Sequence, residues 1–215
     1  MPESRMGRVI EFTKMHGAGN DYIYVDTDKY PIDNPEELAI KWSRFHTGIG
    51  SDGLILISRS KKADFRMRIF NSDGSEAMMC GNGSRCVGKF VYDKGLTEKK
   101  SVTLETLSGI KILNLHVENG KVESVSVDMG KSQILTLGGN TTPFVNQPIT
   151  AKGITMACGT GACATFAAAK ECGLVNGKTT LVLDGGELQI ENSSTNGDVI
   201  MTGPAQTVFE GKIEI

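Results

Sequence analysis

Along the stretch from Phe65 to Ile69, Phe65, Met67 and Ile69 fall on one side of the chain and Arg66 and Arg68 on the other. This period of two marks a strand with one face in a core and one in water. The same alternation predicts strands over roughly 9–14, 22–25, 54–57, 102–106, 110–117, 122–128, 180–183, 187–191, 199–202 and 207–215. Three segments break it. The first has Asn34 at the cap position, Pro35 at the first helical position and Glu37 at the third, and it predicts a helix carrying Leu38, Trp42 and Phe45 on one face and stopping near Gly48. The other two predicted helices, over roughly 83–93 and 161–171, each begin directly after a cysteine and a glycine.

Those two helices belong to an internal repeat. Cys80-Gly81-Asn82-Gly83 opens one copy and Cys158-Gly159-Thr160-Gly161 the other. In both copies a Gly-Leu pair, Gly95-Leu96 and Gly173-Leu174, lies 15 and 16 residues after the cysteine. A strand then leads to a turn glycine, Gly109 or Gly186, and to another strand. The pattern predicts an α/β (α+β) fold of two pseudo-symmetric lobes, 1–118 and 119–215. Each is a mostly antiparallel or mixed strand layer around a central helix, with the active-site cleft between the lobes and the last strand free to pack on the first lobe. The second copy is short. Only 28 residues separate Met129 from Cys158, so the second lobe is shortened between about 130 and 153.

Composition narrows the function classes. With 39% hydrophobic and 22% charged residues and a net charge of -2, the 215 residues have the makeup of a globular chain rather than a disordered one. Lys and Arg are scattered among Asp and Glu, without the basic stripe that a nucleic-acid partner requires. There is no apolar run long enough for a membrane span and no secretory signal at the start, which predicts a cytoplasmic chain with no membrane partner. Five cysteines are an odd number for a disulfide framework, and thiol chemistry takes its place as the expectation.

A thiol at a helix N-terminus faces unpaired backbone N–H groups and the positive end of the macrodipole, which favour the thiolate. Neighbouring glycines let a ligand reach those N–H groups, which then hold a carboxylate or an oxyanion. Two such ends facing across a cleft place a thiolate and a thiol on opposite faces of one molecule. That is the equipment of a two-base racemase or epimerase, with Cys80 and Cys158 as the acid and base. Cys86, Cys163 and Cys172 fall inside helix patterns and read as small buried hydrophobes.

Other chemistries fit less well. The cysteine gaps C-x5-C and C-x4-C, with His16, His46 and His116 far apart, do not make a zinc set, so no metal is expected. His16, in the turn Met15-His16-Gly17-Ala18-Gly19-Asn20-Asp21, reads as a loop residue. Gly159-x-Gly161-x-x-Ala164 imitates a dinucleotide fingerprint, but its repeat copy has Cys86 at the third position and the strands around it read as antiparallel or mixed. No lysine stands out for pyridoxal phosphate, so no cofactor is expected.

Five stretches resemble the signatures of the diaminopimelate epimerase family: Met15–Asp21, Gly48-Ile49-Gly50-Ser51-Asp52-Gly53, Phe70-Asn71-Ser72-Asp73-Gly74-Ser75-Glu76, Cys80–Cys86, and Ala157–Ala164. The resemblance covers nearly the whole chain, through Met201-Thr202-Gly203-Pro204-Ala205. It implies a cofactor-independent isomerase that inverts one α-carbon of a small amino-acid substrate, 2,6-diaminopimelate, between the L,L and meso forms on the way to lysine and peptidoglycan. It also implies that Cys80 and Cys158 are the acid/base pair, that Asn20, Asn71, Gly81, Asn82, Gly159 and Thr160 are substrate-binding positions, and that a homodimer is the partner state. Gly53 stands where many members carry glutamine.

The chain departs from the family between Met129 and Cys158. There, members carry a Met-Gly-Asn-Pro-His stretch, an Asn-Val segment and a Glu-Arg-Gly segment, and here Ala151-Lys152 runs directly into Gly153-Ile154-Thr155-Met156. The shortfall matches the one that the internal repeat shows. It leaves two further readings beside the epimerase: a family member that binds a ligand or partner without turnover, and a related racemase or isomerase of the proline racemase or phenazine type.

Overall fold

The structure, a computed structural model, describes residues 7–132 and 157–215. In chain order it forms β1 (Val9–Gly17), β2 (Asn20–Asp26), α1 (Pro35–Ser43), β3 (Gly53–Arg59), β4 (Phe65–Asn71), β5 (Glu76–Ala77), α2 (Gly81–Asp93), β6 (Ser101–Thr106), β7 (Gly109–Glu118) and β8 (Lys121–Asp128). After these come α3 (Gly159–Glu171), β9 (Thr179–Leu183), β10 (Gly186–Asn192), β11 (Val199–Pro204) and β12 (Gln206–Glu214). The shortened stretch lies, from residue 133 to 156, outside the described residues.

The strands make one mixed sheet in the order β12-β1-β2-β3-β4-β6-β7-β8-β11-β10-β9, with β5 paired to β4 off this path. Two junctions, β2 with β3 and β4 with β6, are parallel. The rest are antiparallel, including β1 with β12, so the last strand closes onto the first. The β7–β8 hairpin turns at Asn119 and Gly120, astride the 118/119 boundary.

Burial explains the layers. In β3, Leu54, Ile55, Leu56 and Ile57 are all buried, which is what a strand covered on both faces requires. Leu54 and Leu56 join Ile23, Val25, Ala39 and Trp42 under α1, whereas Ile55 and Ile57 join Tyr22 and Tyr24 under α2. Strands β1 to β4 and β6 to β8 all turn residues toward α2, which packs Cys86, Val87, Phe90 and Val91 into that core. A third core under α3 uses Ala162, Cys163 and Phe166 with Leu188, Ile190, Val199 and Met201.

The two cysteine-led helices match at both ends. Each starts two residues earlier than the sequence pattern predicts, at Gly81 and Gly159, and each ends on a glycine in the left-handed region, Gly95 at φ 71 and Gly173 at φ 70. Those glycine conformations close the helix with Leu96 N–H donating to Val91 O and Leu174 N–H to Ala169 O, both at 2.9 Å. The helices differ in cover. Residues 81–88 of α2 are all buried, but α3 buries only Gly159, Ala162, Cys163 and Phe166.

Several local expectations are corrected. Phe45 lies beyond α1 and is exposed, because the helix ends at Ser43. Asn34 makes no side-chain cap bond to that helix. His16 is a strand residue, the penultimate one of β1, and its Nδ1 accepts from Gly19 N–H at 3.2 Å. Cys172 is the exposed C-cap of α3, not a buried hydrophobe. After α3 the chain enters β9, which runs antiparallel to β10, so α3 is not the crossover of a dinucleotide-binding unit.

Candidate active site

Each of the two cysteines is a helix cap. Cys80 has an extended backbone, φ -134 and ψ 119, and its Sγ accepts the Gly83 N–H at 3.4 Å. Cys158, at φ -112 and ψ 106, accepts the Gly161 N–H at 3.3 Å. Their carbonyls start the helices, accepting from Ser84 and Ala162 N–H at 2.8 and 2.9 Å. A sulfur can occupy the place usually taken by a Ser or Asp oxygen because it too accepts an orphan N–H.

The two helix ends meet. A Cβ placed on Gly159 would lie 3.1 Å from Asn82 Oδ1 and 3.1 Å from Met201 Sδ, and one placed on Gly81 would lie 2.6 Å from Met201 Cε. Met201 therefore packs against both glycines, and a side chain at either would have to displace it. Asn82 Nδ2 donates to Ala157 O at 2.9 Å, tying the first helix to the residue that precedes Cys158.

Asn20 is the hinge of the cluster on the Cys80 side. Its Oδ1 accepts from the Cys80 thiol and from Asn82 Nδ2, each at 3.4 Å, and its Nδ2 donates to Asp52 Oδ2 at 2.6 Å. Asp52 also accepts the Asp21 N–H at 3.1 Å. Burial raises the Asp52 carboxyl above its ordinary range, while the Asn20 bond pulls it down. Asn71 sits one strand over, opposite Gly53, with its Nδ2 donating to Ser75 Oγ at 3.0 Å rather than to the Cys80 cluster. Thr160 is exposed beside Cys158, Oγ1 to Sγ 3.4 Å.

The sulfurs differ in environment. Cys158 is exposed and Cys80 is half-buried at its helix mouth. Burial pushes the Cys80 thiol up, and the N–H groups of Gly83 and Asn82, the Tyr22 hydroxyl and Arg85 work against it. The expectation that the helix end favours the thiolate is thus corrected for Cys80: its N–H donors act in that sense, but desolvation is the larger effect and leaves the thiol raised. Cys86 and Cys163 are pushed up to about 11, again by burial.

The structure also supplies residues that the sequence pattern does not single out. Arg85 is fully buried, donates from Nε to Pro204 O at 3.1 Å, and among the described residues its Nη2 has no hydrogen-bond partner. Asn82 Oδ1 is also buried and has no hydrogen-bond partner among the described residues. Asp52 lies inside the glycine-rich Gly48–Gly53 signature, Arg85 inside Cys80–Cys86 and Met201 at the head of Met201–Ala205, and those stretches are the signal that points to them. Gly53 is confined: a Cβ there would fall 2.1 Å from Phe70 O. No glutamine fits that backbone. Among the described residues no group of three or more His, Cys, Asp or Glu is placed to share a metal ion. A cavity of about 420 Å³ lies near the other end of α2, where Lys29 and Lys212 pair with Glu11 and Lys94 with Glu210.

The family model for diaminopimelate epimerase matches residues 12–135. A diaminopimelate epimerase of Bacteroides thetaiotaomicron is 51% identical over 263 aligned positions, covering 95% of this chain and 98% of that protein. The chain belongs to the diaminopimelate epimerase family. A member from Methanococcus maripaludis is 42% identical, covering 96% of this chain and all of its own length. The aligned spans exceed the 215 residues of this chain, so these diaminopimelate epimerases carry positions that it lacks. Two solved structures share the fold at 15% identity. A hydroxyproline epimerase of Agrobacterium vitis, with bound trans-4-hydroxy-L-proline, has a TM-score of 0.65 over 97% of this chain and 93% of its own. A phenazine biosynthesis protein of Bacillus anthracis has 0.70 over 97% and 100%.

Proposed function

We propose that the chain is a cofactor-independent diaminopimelate epimerase in which Cys80 and Cys158 are the two bases. The observation that carries this is the meeting of two cysteine-capped helix ends across Met201 and the Asn82–Ala157 bond. The substrate α-carboxylate is held by the N–H groups of Gly81-Asn82 and Gly159-Thr160, where four orphan donors and two positive helix ends converge. One sulfur, as thiolate, takes the α-hydrogen as a proton, and the electron pair left on carbon spreads into the carboxylate, which the donors stabilise. The other sulfur, as thiol, delivers its proton to the opposite face. Each turnover exchanges the roles of the sulfurs. Asn20 holds Cys80 in line, and Asn71 reaches the distal part of the substrate. Lobes 1–118 and 119–215 each supply one capped helix. A cytoplasmic location fits five free thiols, and a homodimer follows from the family resemblance.

A second reading is favoured by the aligned positions that this chain lacks and by the thin cover of α3. In it the chain binds the amino acid and labilises its α-proton without efficient inversion. Incubation with L,L-diaminopimelate in D2O separates the two. Deuterium at one α-carbon together with meso product supports the epimerase. Label without meso product supports the second reading, and no label overturns both.

A further inference from the structure

Among the described residues, Arg85 is the only Asp, Glu, Lys or Arg that is fully buried. Its guanidinium lies between two bare stretches of backbone. A Cβ on Gly17, at the end of β1, would fall 2.9 Å from Nη2, and one on Gly203, in β11, would fall 3.1 Å from Nε and 3.2 Å from Cζ. Nε donates to Pro204 O at 3.1 Å, and Nη1 points to Met201 Sδ at 3.7 Å. Among the described residues no carboxylate pairs with the guanidinium, and Nη2 has no hydrogen-bond partner. A buried cation without a counter-ion lowers folding stability, and an apolar side chain of similar length would fill the same space at less cost.

The place it occupies is the junction of the two helix ends. Arg85 follows Cys80 by five residues, about 7.5 Å of helix rise, and side chains on a helix lean back toward its start. That lean brings the guanidinium onto Met201, whose Cε would meet a Cβ on Gly81 at 2.6 Å and whose Sδ would meet one on Gly159 at 3.1 Å. One thioether therefore stands between the cation and both cysteine-capped ends, and it carries no charge to cancel the guanidinium. The two ends already turn unpaired N–H groups and positive dipole ends toward the space between them. A cation behind Met201 adds to that field, with protein rather than water between them.

We propose that Arg85 is a positioning residue of this site: its guanidinium seats Met201 against the two helix ends and keeps an unneutralised positive charge behind them, which favours the anions that form there, a thiolate at Cys80 and the substrate carboxylate. The effect on rate rests on the epimerase reading, whereas the effect on the thiol does not. The other titratable groups around the guanidinium are Cys86 on α2, Tyr24 on β2 and Cys163 on α3. Around Cys80 they are Tyr22 on β2 and, through Asn20, Asp52 ahead of β3. Burial keeps the Cys86 and Cys163 thiols and the Tyr24 hydroxyl protonated at neutral pH, so none of these three cancels the charge.

The test compares Arg85→Gln, which drops the charge and keeps an amide donor, with Arg85→Lys, which keeps the charge and loses the planar fork. The pH midpoint of Cys80 alkylation by iodoacetamide, read by peptide mass mapping, is expected to rise by about one pH unit in Arg85→Gln, a tenfold loss of thiolate, and to hold in Arg85→Lys. With L,L-diaminopimelate, kcat/KM is expected to fall about 10- to 100-fold in Arg85→Gln and less in Arg85→Lys. A side chain kept for packing alone would move the Cys80 midpoint equally in both variants or in neither, and either result overturns the proposal. Arg85→Met, also neutral, takes the place of Arg85→Gln if the amide does not fold, with the same shift expected. Failure of both neutral variants to fold overturns the proposal too, since the cation would then belong to the fold. If the unsubstituted protein shows no turnover, the epimerase reading fails while the alkylation comparison still decides the role of Arg85.

Discussion

Asp52 Oδ2 accepts the Asn20 Nδ2 bond at 2.6 Å and so decides which end of that amide faces Cys80. The carboxylate belongs to the site although it touches neither sulfur. Asp52→Asn frees the Asn20 amide to turn over, and kcat/KM should drop about 10- to 100-fold, the scale on which misplaced catalytic groups act. Burial raises this carboxyl, so its ionised form costs folding stability at neutral pH, and removing the charge should leave Tm at pH 8 equal or higher. Full activity in the variant would show that the amide orientation does not matter.

Serine at Cys80 or at Cys158 should slow epimerisation by about 10²–10⁴-fold, the usual range for losing an acid or base. Serine at Cys172, an exposed C-cap, should leave the rate unchanged. A Cys172→Ser loss comparable to that of Cys158→Ser would move the chemistry away from the helix mouths.

Brief iodoacetamide labelling at neutral pH should reach Cys158 and Cys172 first, since both are exposed, and Cys80 after them. Cys86 and Cys163, buried and pushed up to about 11, should label only on unfolding. Early labelling of Cys163 would mean that the α3 core opens in the native state.

Asp64 joins the start of β4 to β6. It accepts from Thr103 N–H and Oγ1, both at 2.9 Å, and pairs with Lys99, and it is held down at about 2. An acid depressed in the folded state adds stability above its ordinary value and loses it as pH falls toward the folded one. Melting curves should therefore show Tm falling between about pH 4 and pH 2, with a shallower fall in Asp64→Asn. Identical pH slopes in the two proteins would exclude this group.

With only four of its residues buried, α3 should open more readily than α2. Amide exchange should be complete in α3 and β9 while α2 and β3 remain protected. Equal protection in α2 and α3 would contradict this.

Much of this architecture is legible in the residues. Alternation in 65–69 locates β4, and the repeated Gly-Leu positions locate the C-termini of α2 and α3, whereas their starts are read two residues late because a cysteine is not an ordinary cap residue. The two residues of β5 are too short to alternate. The parallel junctions are also hidden, since a strand's own period does not say which neighbour it takes. Asn20 bonds to the Cys80 thiol and to Asn82, a grouping that the sequence does not reveal, while Asn71 bonds to Ser75. The signatures mark the stretches that hold Asp52 and Arg85, but their partners are dozens of residues away, Asn20 for Asp52 and Pro204 for Arg85, and no local pattern names them.

The pairing of β1 with β12 has a consequence for how the molecule is made. Strand β1 is synthesised well before residues 206–214, which supply the partner of its outer edge. Closing so long a loop is slow, and an unpaired edge is open to other chains in the meantime. The Arg85–Pro204 bond, which anchors the interior of α2, waits for the end of β11, just ahead of that segment. The core around α2, with Cys80 at its mouth, is therefore complete only when β11 has joined β8 and β12 has docked on β1.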